Sequence, residues 1–180
     1  MNTKKTKMYV SIGVFSAIAF VLQVIGSLMN LTVPGTPLEI ELSDLPALIM
    51  ALAFGPFAGV FTEFVKNLLH CTITSTGFVG ELANFAVNGI FCAVAGSIYR
   101  FHKTRKGAVV SLILASVSMA IASIFTNLFI MFPLFLPAAI PFAARLDMVL
   151  YIYVPFNLVR GLALSLVTFF IYKKISPIIK

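Results

Sequence analysis

The sequence predicts an all-α integral membrane protein with six transmembrane helices, the second of them short, and with both termini in the cytoplasm. Three observations carry that expectation. Of 180 residues, 60% are hydrophobic and only 11% are charged, against roughly 25% charged residues in soluble domains. Four apolar runs are each long enough to cross a hydrocarbon core of about 30 Å unaided. The basic residues fall into three clusters rather than along the chain. A soluble domain, a disordered tail and a nucleic-acid binder are set aside despite the net charge of +7, and two cysteines cannot make a disulfide framework. At about 20 residues per span the length allows about six crossings and no aqueous domain, so residues 1–180 read as a single transmembrane domain.

The first span covers about 8–29, after Lys4, Lys5 and Lys7. Its apolar run is too long for a signal peptide and lacks a small-residue cleavage site. Three further runs, about 80–100, 107–132 and 148–172, are long enough to cross alone. Arg100, Lys103, Arg105 and Lys106 form the second basic cluster and Lys173, Lys174 and Lys180 the third, so ten of thirteen basic residues lie in three segments. The positive-inside rule makes all three cytosolic and the number of crossings even. Glu39, Glu41 and Asp44 share a loop without Lys or Arg, and Asp147 sits beside Arg145 in another; both loops read as extracellular. The run at 80–100 ends in a cytosolic cluster, so it begins outside. The stretch 45–78 therefore starts and ends outside, and crosses twice or not at all. Gly55-Pro56 supplies the break, because proline cannot continue a helix and glycine permits the turn. A short helix over about 45–54 and a longer one over about 56–72 result. Ten residues rise only about 15 Å, so the short helix must lean on neighbours instead of facing lipid.

A charged side chain costs roughly 2.5–3.5 kcal/mol or more at a helix centre, which makes intramembrane polar residues candidates for function. Glu63, Lys66 and His70 follow one another at helical spacing on the third helix; Glu81, Asn84 and Asn88 do so on the fourth. The sixth carries Asn157 and Arg160, and the fifth carries Asn127 near its outer end. Counted inward at 1.5 Å per residue, all lie in the outer half or near the midplane. They describe a small-molecule cavity open to the outside, with apolar packing from eighteen phenylalanines. Simpler readings stand beside this one. Glu63 and Lys66 can be an intrahelical pair, Asn88 an interhelical hydrogen bond, and His70 a solvated imidazole near the interface. Arg160 is too far from either end to snorkel easily to water.

Neither a phosphate-binding glycine-rich loop, nor His-Glu-x-x-His, nor Gly-x-Ser-x-Gly is present. No catalytic or metal-ligating set is expected, and no cofactor. Nor is an inverted repeat visible, which argues for a binding subunit that borrows energy from partners over a self-contained transporter. The competing class is a small intramembrane enzyme with Glu81 and His70 as acid and base, but no nucleophile accompanies them.

Leu42-Ser43-Asp44-Leu45-Pro46-Ala47-Leu48, running through Phe54-Gly55-Pro56-Phe57-Ala58-Gly59-Val60 to Lys66-Asn67-Leu68-Leu69-His70, resembles the substrate-binding S components of energy-coupling factor (ECF) vitamin transporters. Gly80-Glu81-Leu82-Ala83-Asn84-Phe85, Asn127 before Phe132-Pro133-Leu134, and Asn157-Leu158-Val159-Arg160-Gly161 extend the likeness over nearly the whole chain. The riboflavin-specific branch is the most similar. The resemblance implies a multi-pass protein of a prokaryotic cell membrane, whose loop between helices 1 and 2 covers a riboflavin pocket. It implies a transmembrane coupling subunit (EcfT) and two cytosolic ATPases of the EcfA type as partners. It places ligand hydrogen bonding on Asn127, Asn157 and Arg160, with Glu81, Asn84 and Lys66 nearby. The family motif leads one to expect Lys where this chain has Arg160, a wider, permanently charged fork. FMN or another vitamin or precursor is the alternative ligand. On helix 1, Gly13 and Ala17, with Ser16 and Ala19 near, leave one face smooth enough for close helix approach. The resemblance makes this the coupling-subunit docking face; internal packing is the other reading.

Overall fold

The computed structural model of the chain describes residues 3–29, 38, 42–74, 77–135 and 139–179. Glu39, Glu41 and Lys180, and with them most of the loop expected to cover a pocket, lie outside the described residues. Six helical rods are present among those described: α1 (Thr3–Met29), α2 (Leu45–Phe54), α3 (Pro56–His70), α4 (Val79–Phe101), and two compound helices. α5 runs from Arg105–Thr126 through a π-helical segment, Asn127–Met131, into a last turn, Phe132–Phe135. α6 begins with Phe142–Met148, passes through a second π segment, Val149–Tyr153, and continues as Val154–Ile179. Four stretches are long and apolar enough to cross a membrane: Lys5–Met29, Val79–Phe101, Arg105–Phe135 and Phe142–Ile175.

α2 is the short helix at the centre. Leu45 to Leu52 are all buried, so it is apolar all round and enclosed by its neighbours, as a helix of this length in a bilayer must be. Gly55, at φ 101°, turns the chain between α2 and α3, and Pro56 opens α3 at a position where its missing N–H costs nothing. The two helices then pack backbone to backbone. A Cβ added at Gly59 would lie 2.5 Å from Ala51 Cβ, and one at Gly96 of α4 would lie 2.7 Å from Pro56 N.

α3 is amphipathic in the inverted sense. Thr62, Glu63, Lys66 and Asn67 are buried, while Phe57, Phe61, Phe64 and Leu68 are exposed. In water this orientation would be upside down; in lipid it costs nothing to expose phenylalanine and much to expose lysine. α5 and α6 approach through small residues, with Ser116 Oγ 3.1 Å from Ser165 Oγ and Gly161 against Ser116.

Both compound helices are longer than the apolar runs suggest. The fifth was expected to end near 132 and the sixth to begin near 148; the helices extend to Phe135 and back to Phe142. Arg145 and Asp147, read as loop residues, are in fact on a helical turn that Pro141 initiates. Each π segment ends two residues before a proline, Pro133 or Pro155. A wide turn keeps the proline ring off the carbonyl four residues back, so the helix continues where proline would otherwise break it.

Candidate functional site: an amide-lined cavity

A cavity of about 530 Å³ opens between the C-terminal ends of α1, α3 and α5 and the N-terminal ends of α4 and α6. Glu81, Asn84, Asn127, Asn157 and Arg160, five residues singled out in the sequence, line it together. Gln23, His70, Asn88, Tyr153 and Phe156 complete the polar and aromatic wall. The π segments matter locally, since Asn127 opens one and Tyr153 closes the other.

The hydrogen bonds fix which way the asparagines point. Asn127 Nδ2 donates to the Ser123 carbonyl at 2.7 Å, and Asn157 Nδ2 to the Tyr153 carbonyl at 2.9 Å. A carbonyl only accepts, so each amide must turn its NH2 to the helix, which leaves Oδ1 to accept from elsewhere. Lys66 Nζ, which only donates, points at Asn84 Oδ1 at 3.2 Å. That oxygen also takes a hydrogen bond from Asn88 Nδ2 at 3.0 Å. Asn88 Oδ1 is thereby oriented too, and among the described residues it is buried without a partner, as is Gln23 Oε1. Asn127 and Asn157 are consequently the wall amides whose oxygens are turned toward a ligand's N–H and O–H groups.

Lys66 is not in the wall. It is completely buried behind Asn84, 2.5 Å from Asp44 Oδ1 and 2.7 Å from Glu63 Oε2. Arg160 contacts the other oxygen of Asp44. Asp44 therefore corrects the sequence reading, which placed it in an external acidic loop: it is fully buried and bridges two cations. The reason lies in its position one residue before α2. Burying that helix carries its first flanking residue inside, where Lys66 and Arg160 each require an anion. Asp44, Glu63 and Lys66, all fully buried, form with the partly buried Arg160 a quartet whose formal charges cancel.

Three simpler readings also change. Glu63 and Lys66 do pair within α3, but the pair belongs to the larger network. Asn88 bonds along its own helix rather than between helices. His70 is not a solvated imidazole: its Nδ1 lies 2.8 Å from Glu81 Oε1, and it lines the cavity. Gln23 went unnoticed, although it is the single amide in the apolar run of the first helix. On α1, Ser16 and Ala19 turn inward, with Ser16 Oγ donating to the Thr62 carbonyl at 3.4 Å. Gly13 and Ala17 are exposed on the opposite face, and a Cβ added at Gly13 meets nothing within 4 Å.

A bundle of apolar helices with a deep polar cavity at one end defines a solute-binding membrane protein. Residues 7–172 match the family model described as "ECF transporter, substrate-specific component". The chain belongs to that family, the S components of ECF transporters. It is 31% identical over its whole length to the riboflavin transporter RibU of Staphylococcus aureus (strain TCH60), 96% of which is covered. It is 33% identical to the riboflavin transporter FmnP of Bacillus subtilis (strain 168), over 96% of this chain and 94% of that one. A solved S component of a bacterial ECF transporter superposes with a TM-score of 0.80 at 30% identity, covering 98% of this chain and 99% of the other.

Proposed function

We propose that the chain is the riboflavin-binding subunit of an ECF transporter, acting as one transmembrane domain in the cell membrane of a prokaryote. The observation that carries this reading is the ring of oriented amides around a cavity of about 530 Å³, inside the range of roughly 300–1,000 Å³ for small-molecule sites. Riboflavin supplies what such a wall lacks: four ribityl hydroxyls and an imide N–H as donors, on a ring that packs against Tyr153 and Phe156. Asn127 and Asn157 accept from the ligand, with Glu81 and Asn84 on the neighbouring helix and Arg160 at the floor. Lys66 acts through Asn84, holding its oxygen in place, without contacting the ligand.

The charge balance favours riboflavin over FMN. Arg160 and Lys66 already share Asp44 and Glu63, so a phosphate entering the cavity would compete with carboxylates for them. The His70–Glu81 contact brings an acid and a base together near the free thiol of Cys71, but the matched relatives are transporters; the pair is read as part of the wall and the protein as a non-enzyme without a cofactor. Energy for uptake comes from the coupling subunit and two ATPases, with Gly13 and Ala17 on the docking face.

Purified protein titrated with riboflavin should quench flavin fluorescence in a saturable way, bind FMN at least about tenfold more weakly, and hydrolyse no ATP. Failure to bind riboflavin while another vitamin raises the unfolding temperature would replace the ligand and keep the family; ATP hydrolysis by the isolated chain would overturn the reading itself.

A further inference from the structure

A second cavity, of about 180 Å³, lies at the other end of the bundle, between the α4–α5 connection and the end of α6. Lys103, Arg105 and Lys173 line it together with Thr104, Tyr99 and Tyr172, and no carboxylate does. None of the three cations is ion-paired among the described residues. The inner wall of this cavity is held by specific contacts, while Lys103, Arg105 and Lys173 are themselves exposed. Tyr172 Oη donates to the Leu52 carbonyl at 3.2 Å, and the Tyr99 and Tyr172 rings meet edge to face at 5.6 Å. Thr104 caps α5 by accepting from Gly107 N at 3.0 Å, which aims the positive end of the helix dipole at the same space. Phe169 forms part of the wall and meets the exposed ring of its neighbour Phe170 edge to face, which places apolar surface beside the cavity.

We propose that this cavity binds the phosphate of an anionic phospholipid headgroup, with the acyl chains leaving over Phe169 and Phe170. Three cations around a small space demand an anion, and basic pockets between transmembrane helices on the cytosolic side are suited to phosphate headgroups. The positive-inside rule alone accounts for basic residues at this end, but it does not account for their convergence on one small cavity. The inference is independent of which vitamin the opposite cavity takes.

Two triple variants of equal charge separate the two accounts. K103Q/R105Q/K173Q empties the cavity of cations, whereas R100Q/K106Q/K174Q removes the same charge from residues outside its lining. Full-length protein in detergent is mixed with phosphatidylglycerol or phosphatidylcholine and followed by native mass spectrometry and thermal unfolding. Retention of phosphatidylglycerol adducts and their thermal shift by wild type and the control triple, with binding weakened at least about tenfold in the cavity triple, is the expected result. Equal loss in both triples, or equal retention of phosphatidylcholine, overturns the proposal. Displacement by glycerol 3-phosphate at the lipid's own concentration would also overturn it, by making the site one for free phosphate. Circular dichroism of both triples confirms that each is folded before the comparison is made.

Discussion

Asp44 neutralises two cations that approach from different helices, Lys66 on α3 and Arg160 on α6. Removing its charge leaves the buried Lys66 with Glu63 as its remaining ion-pair partner and takes from the partly buried Arg160 the carboxylate it contacts. Breaking a buried pair by deleting one partner typically costs about 3–5 kcal/mol. Asp44→Asn, which preserves shape, should therefore destabilise the folded protein by about that amount, read as a lowered unfolding temperature in detergent. It should also weaken ligand binding, because Arg160 loses the group that fixes its direction. An unchanged unfolding temperature would mean that water or Glu63 already satisfies both cations. The wall asparagines were legible from sequence because an amide in an apolar run has few other uses. Asp44 was not, because beside Glu39 and Glu41 it looks like one more loop acid, and only the burial of α2 reveals its depth. Lys66 was legible as a polar residue inside the bundle but not as one that sits behind Asn84, outside the cavity lining.

The helices show why some parts of the architecture could be read and others not. Gly55-Pro56 marks the α2–α3 break unambiguously, and an apolar run of ten residues can only be an enclosed helix. The fifth run stops short in the sequence because Pro133 signals an end, whereas a π turn lets α5 pass it; the sixth starts late because Arg145 and Asp147 look like loop residues, although the helix reaches back to Phe142. For α1 the sequence showed a smooth stripe but not its direction. The structure divides it: Ser16 and Ala19 pack inward, Gly13 and Ala17 outward. Bulky side chains at the outward positions therefore have room in the isolated protein, and in the proposed docking role they would obstruct a partner helix. Gly13→Leu with Ala17→Leu should abolish riboflavin uptake in cells expressing the complete transporter, while the purified variant binds riboflavin within about twofold of wild type. Equal losses of binding and uptake would show that the face supports the fold rather than the partner.

At the scale of the whole molecule, the two ends differ in chemistry. One gathers the start of α1, the α4–α5 connection and the end of α6, and with them nearly all the exposed cations; the other holds the amide-lined cavity. The positive-inside rule turns this asymmetry into a direction of transport, because a cavity at the opposite end must face outward if the basic end is cytosolic. Cysteine accessibility tests the direction. Cys71, which is only partly buried near the cavity end, would react from outside and obscure the signal, so it is first replaced by serine. In that background, Asp147→Cys should react with a membrane-impermeant maleimide in intact cells. Lys103→Cys should react only after permeabilisation, and its effect on the basic cluster is small because three other basic residues remain in the connection. The opposite pattern would place the cavity on the cytosolic side. A wall of amide oxygens that bind a vitamin there could not serve uptake, and the role of the protein would have to be rebuilt from the orientation upward.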